Sequence, residues 1–175
     1  AWAFYLMAQF PEWQDKVASE AEQGLSESFS AVSKLRISRD VFRETLRLFP
    51  PVPMMVRQST CPEKFRDRDI KIGSQVVLSP WHLHRHERLW DDPDGFDPAR
   101  WSTENGKTCM REAFIPFSAG SRVCPGAGFA MVEGVLILSM VLKKYRLSLT
   151  ERPAPEPVAH LTVRAKNGIW VKVTP

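Results

Sequence analysis

Cysteine is scarce in this chain. Cys61, Cys109 and Cys124 are scattered through 175 residues, and no C-x-x-C pair occurs. An odd, widely spaced set argues against a disulfide framework and a structural zinc site, and it suits a reducing compartment. Long apolar runs are missing as well. The opening stretch from Ala1 to Phe10 stops at Pro11, and Phe129 to Leu142 is interrupted by Glu133 and Gly134. Neither reaches the roughly 20 apolar residues that a bilayer crossing takes, so no membrane segment is expected in this chain. A secretory leader pattern is absent. No charge of one sign dominates: 24 basic and 20 acidic residues leave +4, too mild to imply nucleic acid. No internal repeat is visible. What is left is an ordinary globular composition, 43% hydrophobic, in a chain long enough for one domain with a core.

Patterning divides the chain into helices first and short strands later. Ala1 to Phe10 reads as the tail of a helix, and Pro11 fits the first turn of a second that runs to about Gly24. The chain starts with Ala-Trp-Ala in mid-helix character and without a capping signal, which suggests a fragment or a trimmed product. Ser38 is the expected cap of a third helix, about Arg39 to Phe49, ended by Pro50-Pro51. Met54 to Ser59, Ile70 to Ile72 and Gln75 to Ser79 read as strands, and Trp81 to Trp101 as a long irregular meander. A final helix is expected from about Pro125 to Lys144. Leu161 to Ala165 and Ile169 to Val173 flank Lys166-Asn167-Gly168, which predicts a hairpin. Pro153 to Pro157 forms a stiff connector.

The most informative segment is Phe117-Ser118-Ala119-Gly120-Ser121-Arg122-Val123-Cys124-Pro125-Gly126. It sets one cysteine just before an apolar helix, in a glycine-punctuated loop with a cation two residues upstream. An iron–thiolate bond inside a haem pocket needs such a cradle, because hydrogen bonding and solvent exposure of the sulfur tune the metal. Phe117 can shield sulfur from water. Gly120 permits backbone angles closed to other residues, and Gly126 lets main chain approach a flat ligand. The positive end of the following helix favours ionised sulfur. Arg122 can hold a carboxylate with a two-pronged hydrogen bond, as a haem propionate requires.

The segment resembles the haem-binding signature F-x-x-G-x-R-x-C-x-G of the cytochromes P-450, and the likeness continues to Ala130 and Glu133. The resemblance extends over nearly the whole chain. Residues 43–51 resemble the family's E-x-x-R helix and the proline turn after it, with Glu44 and Arg47 on one face. Residues 96–101 resemble its meander motif, which makes Arg100 the third member of a buried structural network. Arg57 corresponds to a second propionate ligand. Val52, Met54 and Met55 fall in a segment that lines the substrate pocket in the family, and here they imply an apolar wall.

The resemblance implies a mainly α fold with small β-sheets (α+β), the C-terminal part of the cytochrome P-450 fold. Residues 1–175 would form a partial haem domain with no internal boundary. The implied protein is a haem-thiolate monooxygenase carrying haem b, with Cys124 as the axial ligand to iron. It would take dioxygen, an apolar organic substrate and electrons from a ferredoxin or a flavoprotein reductase. Lys143, Lys144 and Arg146, with Lys107 and Arg111, would face an acidic electron donor. The acid–alcohol pair of the family's long central helix is expected upstream of Ala1. Two other readings stand beside this one. The chain is a haem-binding remnant or interaction module without turnover, or His82, His84 and His86, alternating in an extended segment, bind the metal of a hydrolase. Without a visible anchor, the expected setting is cytoplasmic, that of a soluble bacterial-type enzyme.

Overall fold

The computed structural model of the chain describes residues 1–26 and 29–175. The architecture is mainly helical with small antiparallel sheets. Helices α1 (Trp2–Gln9) and α2 (Pro11–Gly24) meet at Phe10, whose N–H bonds to the Leu6 carbonyl at 2.8 Å. Pro11 opens α2, where its missing N–H breaks no helical bond. Helix α3 spans Arg36–Leu48 and so begins before Ser38. The reason is a cap from another element. Glu20 on α2 accepts from the Ile37 and Ser38 amides at 2.6 and 2.8 Å, and from the Ser38 hydroxyl. A carboxylate is well placed at that end of the helix dipole.

Helix α6 (Ala127–Leu142) packs on α2 and α3. Met7, Val17, Val41, Leu138, Leu142 and Leu147 form the main core. Gly134 is what lets α6 come close to α3: a Cβ there would sit 2.2 Å from the Phe42 ring. Gln14 is buried and ties this core to a strand. Its amide donates to the Met7 and Leu147 carbonyls at 3.0 and 2.9 Å and accepts from the Leu147 N–H. A smaller core of Trp90, Trp101, Cys109 and Ala113 lies under α5 (Glu104–Glu112), a helix the sequence pattern does not announce.

Each sheet found among the described residues has two strands. β1 (Met55–Gln58) pairs with β4 (Gln75–Leu78), opposing Arg57 and Val76, and β2 (Glu63–Phe65) pairs with β3 (Arg68–Ile70). One-turn helix α4 (Pro80–Leu83) leads into the meander. The expected hairpin around Lys166-Asn167-Gly168 is not formed. β7 (Val163–Ala165) pairs with β6 (Pro157–Ala159), and β8 (Val171–Thr174) pairs with β5 (Arg146–Leu149). The turn, with Gly168 at φ +78°, passes the chain from one sheet to the other. Both partner strands come from earlier in the sequence, which a local turn signal cannot reveal.

Candidate functional site

Cys124 lies three residues before α6, in a loop shaped by two left-handed residues, Ser118 (φ +66°) and Gly120 (φ +68°). At Gly120 the glycine requirement is conformational, because no atom approaches a Cβ built there within 4 Å. The Cys124 N–H donates to the Phe117 carbonyl at 2.8 Å, which closes the loop on itself. Its own carbonyl accepts from Ala127 at 3.2 Å, so the sulfur is held next to the first turn of α6. A Cβ on Gly126 would lie 3.8 Å from that sulfur, an ordinary contact distance.

The sulfur is exposed to a cleft of about 270 Å³ whose walls include Pro51, Val52, Met55, Pro116 and Phe117, with Arg122 and Ser118 beside it. The floor and walls are apolar, and the cations stand at the edge. Arg57 reaches this edge from β1 by donating to the Ser118 hydroxyl at 2.8 Å. The structure therefore gathers Cys124, Phe117, Arg122, Val52 and Met55 around one cleft and brings Arg57 to its margin. Met54 is not among them. It opens on a second cleft of about 310 Å³ with Pro53, Ser79, Trp81, His82 and residues of β6 and β7. Neighbouring residues of an extended chain point to opposite sides, so Met54 and Met55 cannot share a wall. Ser118, with its strained φ and its bond to Arg57, carries no sequence signal that would have singled it out.

At the end of α3, next to the meander, lies an almost wholly buried ion cluster. One carboxylate oxygen of Glu44 accepts from Arg47 and from Arg100, each at 2.8 Å, and the other accepts from Arg47 at 3.1 Å. Two guanidiniums against one carboxylate leave a net positive charge in the interior. Main-chain carbonyls of the meander offset it: Arg47 donates to His84, Pro93 and Gly95, and Arg100 to Asp91, Asp92 and Gly95. The meander is wrapped around these two side chains, with its carbonyl dipoles turned inward.

The three histidines do not converge. His84 is buried and both its ring nitrogens face main chain, Ile115 N at 2.9 Å and the Arg47 carbonyl at 3.3 Å. Burial, with Arg47 and Arg85 nearby, pushes its pKa down to about 4, so it is neutral. His82 pairs with Ser79, and His86 accepts from the Arg88 amide. The hydrolase reading needs these histidines to converge, and each is engaged with a different partner instead; among the described residues no cluster of three or more His, Cys, Asp or Glu side chains is placed to hold a metal ion. Among the surface cations, Lys107 is paired with Glu104 at 2.6 Å and Arg146 with Asp15, while Lys143 and Lys144 are exposed beyond the end of α6.

Comparison with known proteins points to one family. Residues 1–173 match the family model Cytochrome P450. The chain is 35% identical over 180 residues to Cytochrome P450 4B1 of Homo sapiens and 37% identical to the Rattus norvegicus protein of that name, covering 100% of this chain and 35% of each relative. It is 33% identical to Cytochrome P450 4A10 of Mus musculus over 98% of its length. The chain thus spans about a third of the length of these relatives. Among solved structures, the crystal structure of the cytochrome P450DA heme domain superposes with a TM-score of 0.90 at 28% identity, over 99% of this chain and 40% of that one. These curated relatives are mammalian, which overturns the expectation of a bacterial-type cytoplasmic enzyme. Among the described residues no helix is long and apolar enough to cross a membrane.

Proposed function

The chain belongs to the cytochrome P450 family, and from that premise we propose that it forms the thiolate side of a haem-thiolate monooxygenase acting on an apolar organic substrate. The observation that carries this reading is the exposed Cys124 sulfur, set in an apolar cleft at the start of α6 with arginines at the margin. The family implies haem, and the residues present fit it. A single soft donor faces the cleft, apolar walls suit a flat macrocycle, and Arg57 and Arg122 offer two-pronged partners for its carboxylates. The group in this reading is haem b, and when bound it supplies dioxygen activation and electron transfer, for insertion of one oxygen atom into a C–H bond.

The chain's own residues have four tasks. Cys124 binds iron and donates electron density, a property that favours O–O cleavage in thiolate-ligated haem proteins. The Phe117 carbonyl holds the Cys124 amide, and the Phe117 ring limits water at the sulfur. Arg57 and Arg122 orient the porphyrin by its propionates. Val52 and Met55 present apolar surface to a substrate. The Glu44, Arg47 and Arg100 cluster fixes the meander beneath this assembly. Electrons would come from a ferredoxin or a flavoprotein reductase, docked where Lys143 and Lys144 stand exposed.

The test is a ligand assignment by substitution. Haem-loaded protein, reduced and treated with carbon monoxide, should give the long-wavelength Soret band of thiolate ligation. Cys124→Ser should abolish that band, whereas Cys61→Ser and Cys109→Ser should retain it. A band that survives in Cys124→Ser refutes the reading.

A further inference from the structure

Histidine 84 is the one buried ionisable side chain of the meander that the reaction above does not use. Its ring sits between two parts of the chain that otherwise have no hydrogen bond to each other. On one side is the Arg47 carbonyl, in the last turn of α3, where no helical partner remains for it. On the other is the Ile115 N–H, between the end of α5 and Pro116. An amide can donate only to an unprotonated ring nitrogen, so Nε2 carries no proton. The proton is then on Nδ1, which faces the Arg47 carbonyl. The ring is enclosed by Phe114 at 5.3 Å and Trp90 at 6.4 Å between centroids. Ile115 opens the segment that forms the cleft. Its carbonyl accepts from Ser118, and two residues on, the Phe117 carbonyl accepts from Cys124.

We propose that His84 is a positioning residue for the thiolate loop, clamping Ile115 to the end of α3 and so fixing Phe117 and the Cys124 sulfur in place at the cleft. The anchor end of the clamp is rigid, because the Arg47 side chain is locked to Glu44 and the meander. Burial keeps the ring neutral across ordinary pH, which preserves its acceptor nitrogen. The inference rests on Cys124 being the iron ligand.

Two substitutions separate the hydrogen bonds from the packing. His84→Phe keeps a ring in the enclosure and loses both bonds, and His84→Gln keeps an acceptor within reach of Ile115. Two signals are read on the haem-loaded protein: exchange of the Ile115 amide with deuterium, and the fraction of the carbon monoxide spectrum in the thiolate band. His84→Phe should speed Ile115 exchange about tenfold and move a large part of the spectrum to the short-wavelength form. His84→Gln should restore both. The clamp is refuted if His84→Phe matches the parent protein, or if His84→Gln is damaged as badly as His84→Phe. A parent protein without the thiolate band breaks the ligand reading and the clamp with it. A normal parent band with an indifferent His84→Phe breaks the clamp alone. If His84→Phe does not fold, the parent amide decides: Ile115 protected like the α6 amides supports the clamp, and exchange at the rate of an open loop rejects it.

Discussion

Glu44 faces two guanidiniums with one negative charge, in an interior where all three side chains are almost wholly buried. Glu44→Gln leaves both cations without a carboxylate. It should lower stability by about 3–5 kcal/mol, measured by urea unfolding. A loss near that of an exposed ion pair would mean the meander carbonyls alone suffice. The i,i+3 spacing alone did not single out this pair, since Glu63 and Arg66 share it; the family resemblance pointed to Glu44, Arg47 and Arg100, and the carbonyl ring that offsets the surplus charge was not legible, because main-chain direction leaves no mark on sequence. His84 gives the second prediction at this scale. Its pKa is about 4 when folded, against an ordinary value of 6.5. On acidification the unfolded chain therefore takes up the proton first. Stability should be flat above about pH 7 and fall by up to about 3 kcal/mol between pH 6.5 and 4. In His84→Gln this part of the pH dependence should vanish, and a slope equal to the parent's would show that other groups cause it.

At the scale of elements, close packing decides more than propensity. Gly134 reads in sequence as a weak point in an apolar helix, yet it is the seat of the Phe42 ring. Gly134→Ala should destabilise by about 1–3 kcal/mol despite its better helix propensity, since the ring has to move. Combining it with Phe42→Leu should recover part of the loss, and additive losses would reject the contact as the cause. Helix α2 was legible to the residue because Pro11 marks its start. Helix α3 was misjudged at its start because its cap is Glu20, a residue of a different helix. Strands β1, β4, β7 and β8 lie close to where the pattern put them, but β2, β5 and β6 were not expected, β3 meets the expected Ile70–Ile72 only at Ile70, and the C-terminal pairing was wrong. Val163–Ala165 and Val171–Thr174 both alternate and flank a turn, but each finds its partner upstream. Met54 and Met55 face different clefts for a local reason, the two-residue alternation of an extended chain.

At the scale of the whole molecule, the cleft is assembled from two distant segments: the proline turn with the start of β1, and the loop from Pro116 to Cys124. Sequence spacing announced the loop, and the family resemblance announced the proline turn; nothing local would have joined them. The surface charge pattern was only partly readable, since Lys107 and Arg146 turn out to be neutralised by Glu104 and Asp15. If donor docking uses the remaining cations, Lys143→Glu with Lys144→Glu should slow reduction several-fold at low salt and converge with the parent at high salt. Unchanged rates would move the docking face elsewhere. The functional readings depend on which atom of the chain binds iron. X-ray absorption at the iron edge of the haem-loaded protein answers that without recourse to turnover. The account predicts one sulfur among the atoms bound to iron, lost in Cys124→Ser; a spectrum fitted by nitrogen and oxygen alone, or a sulfur that persists in that variant, would contradict it.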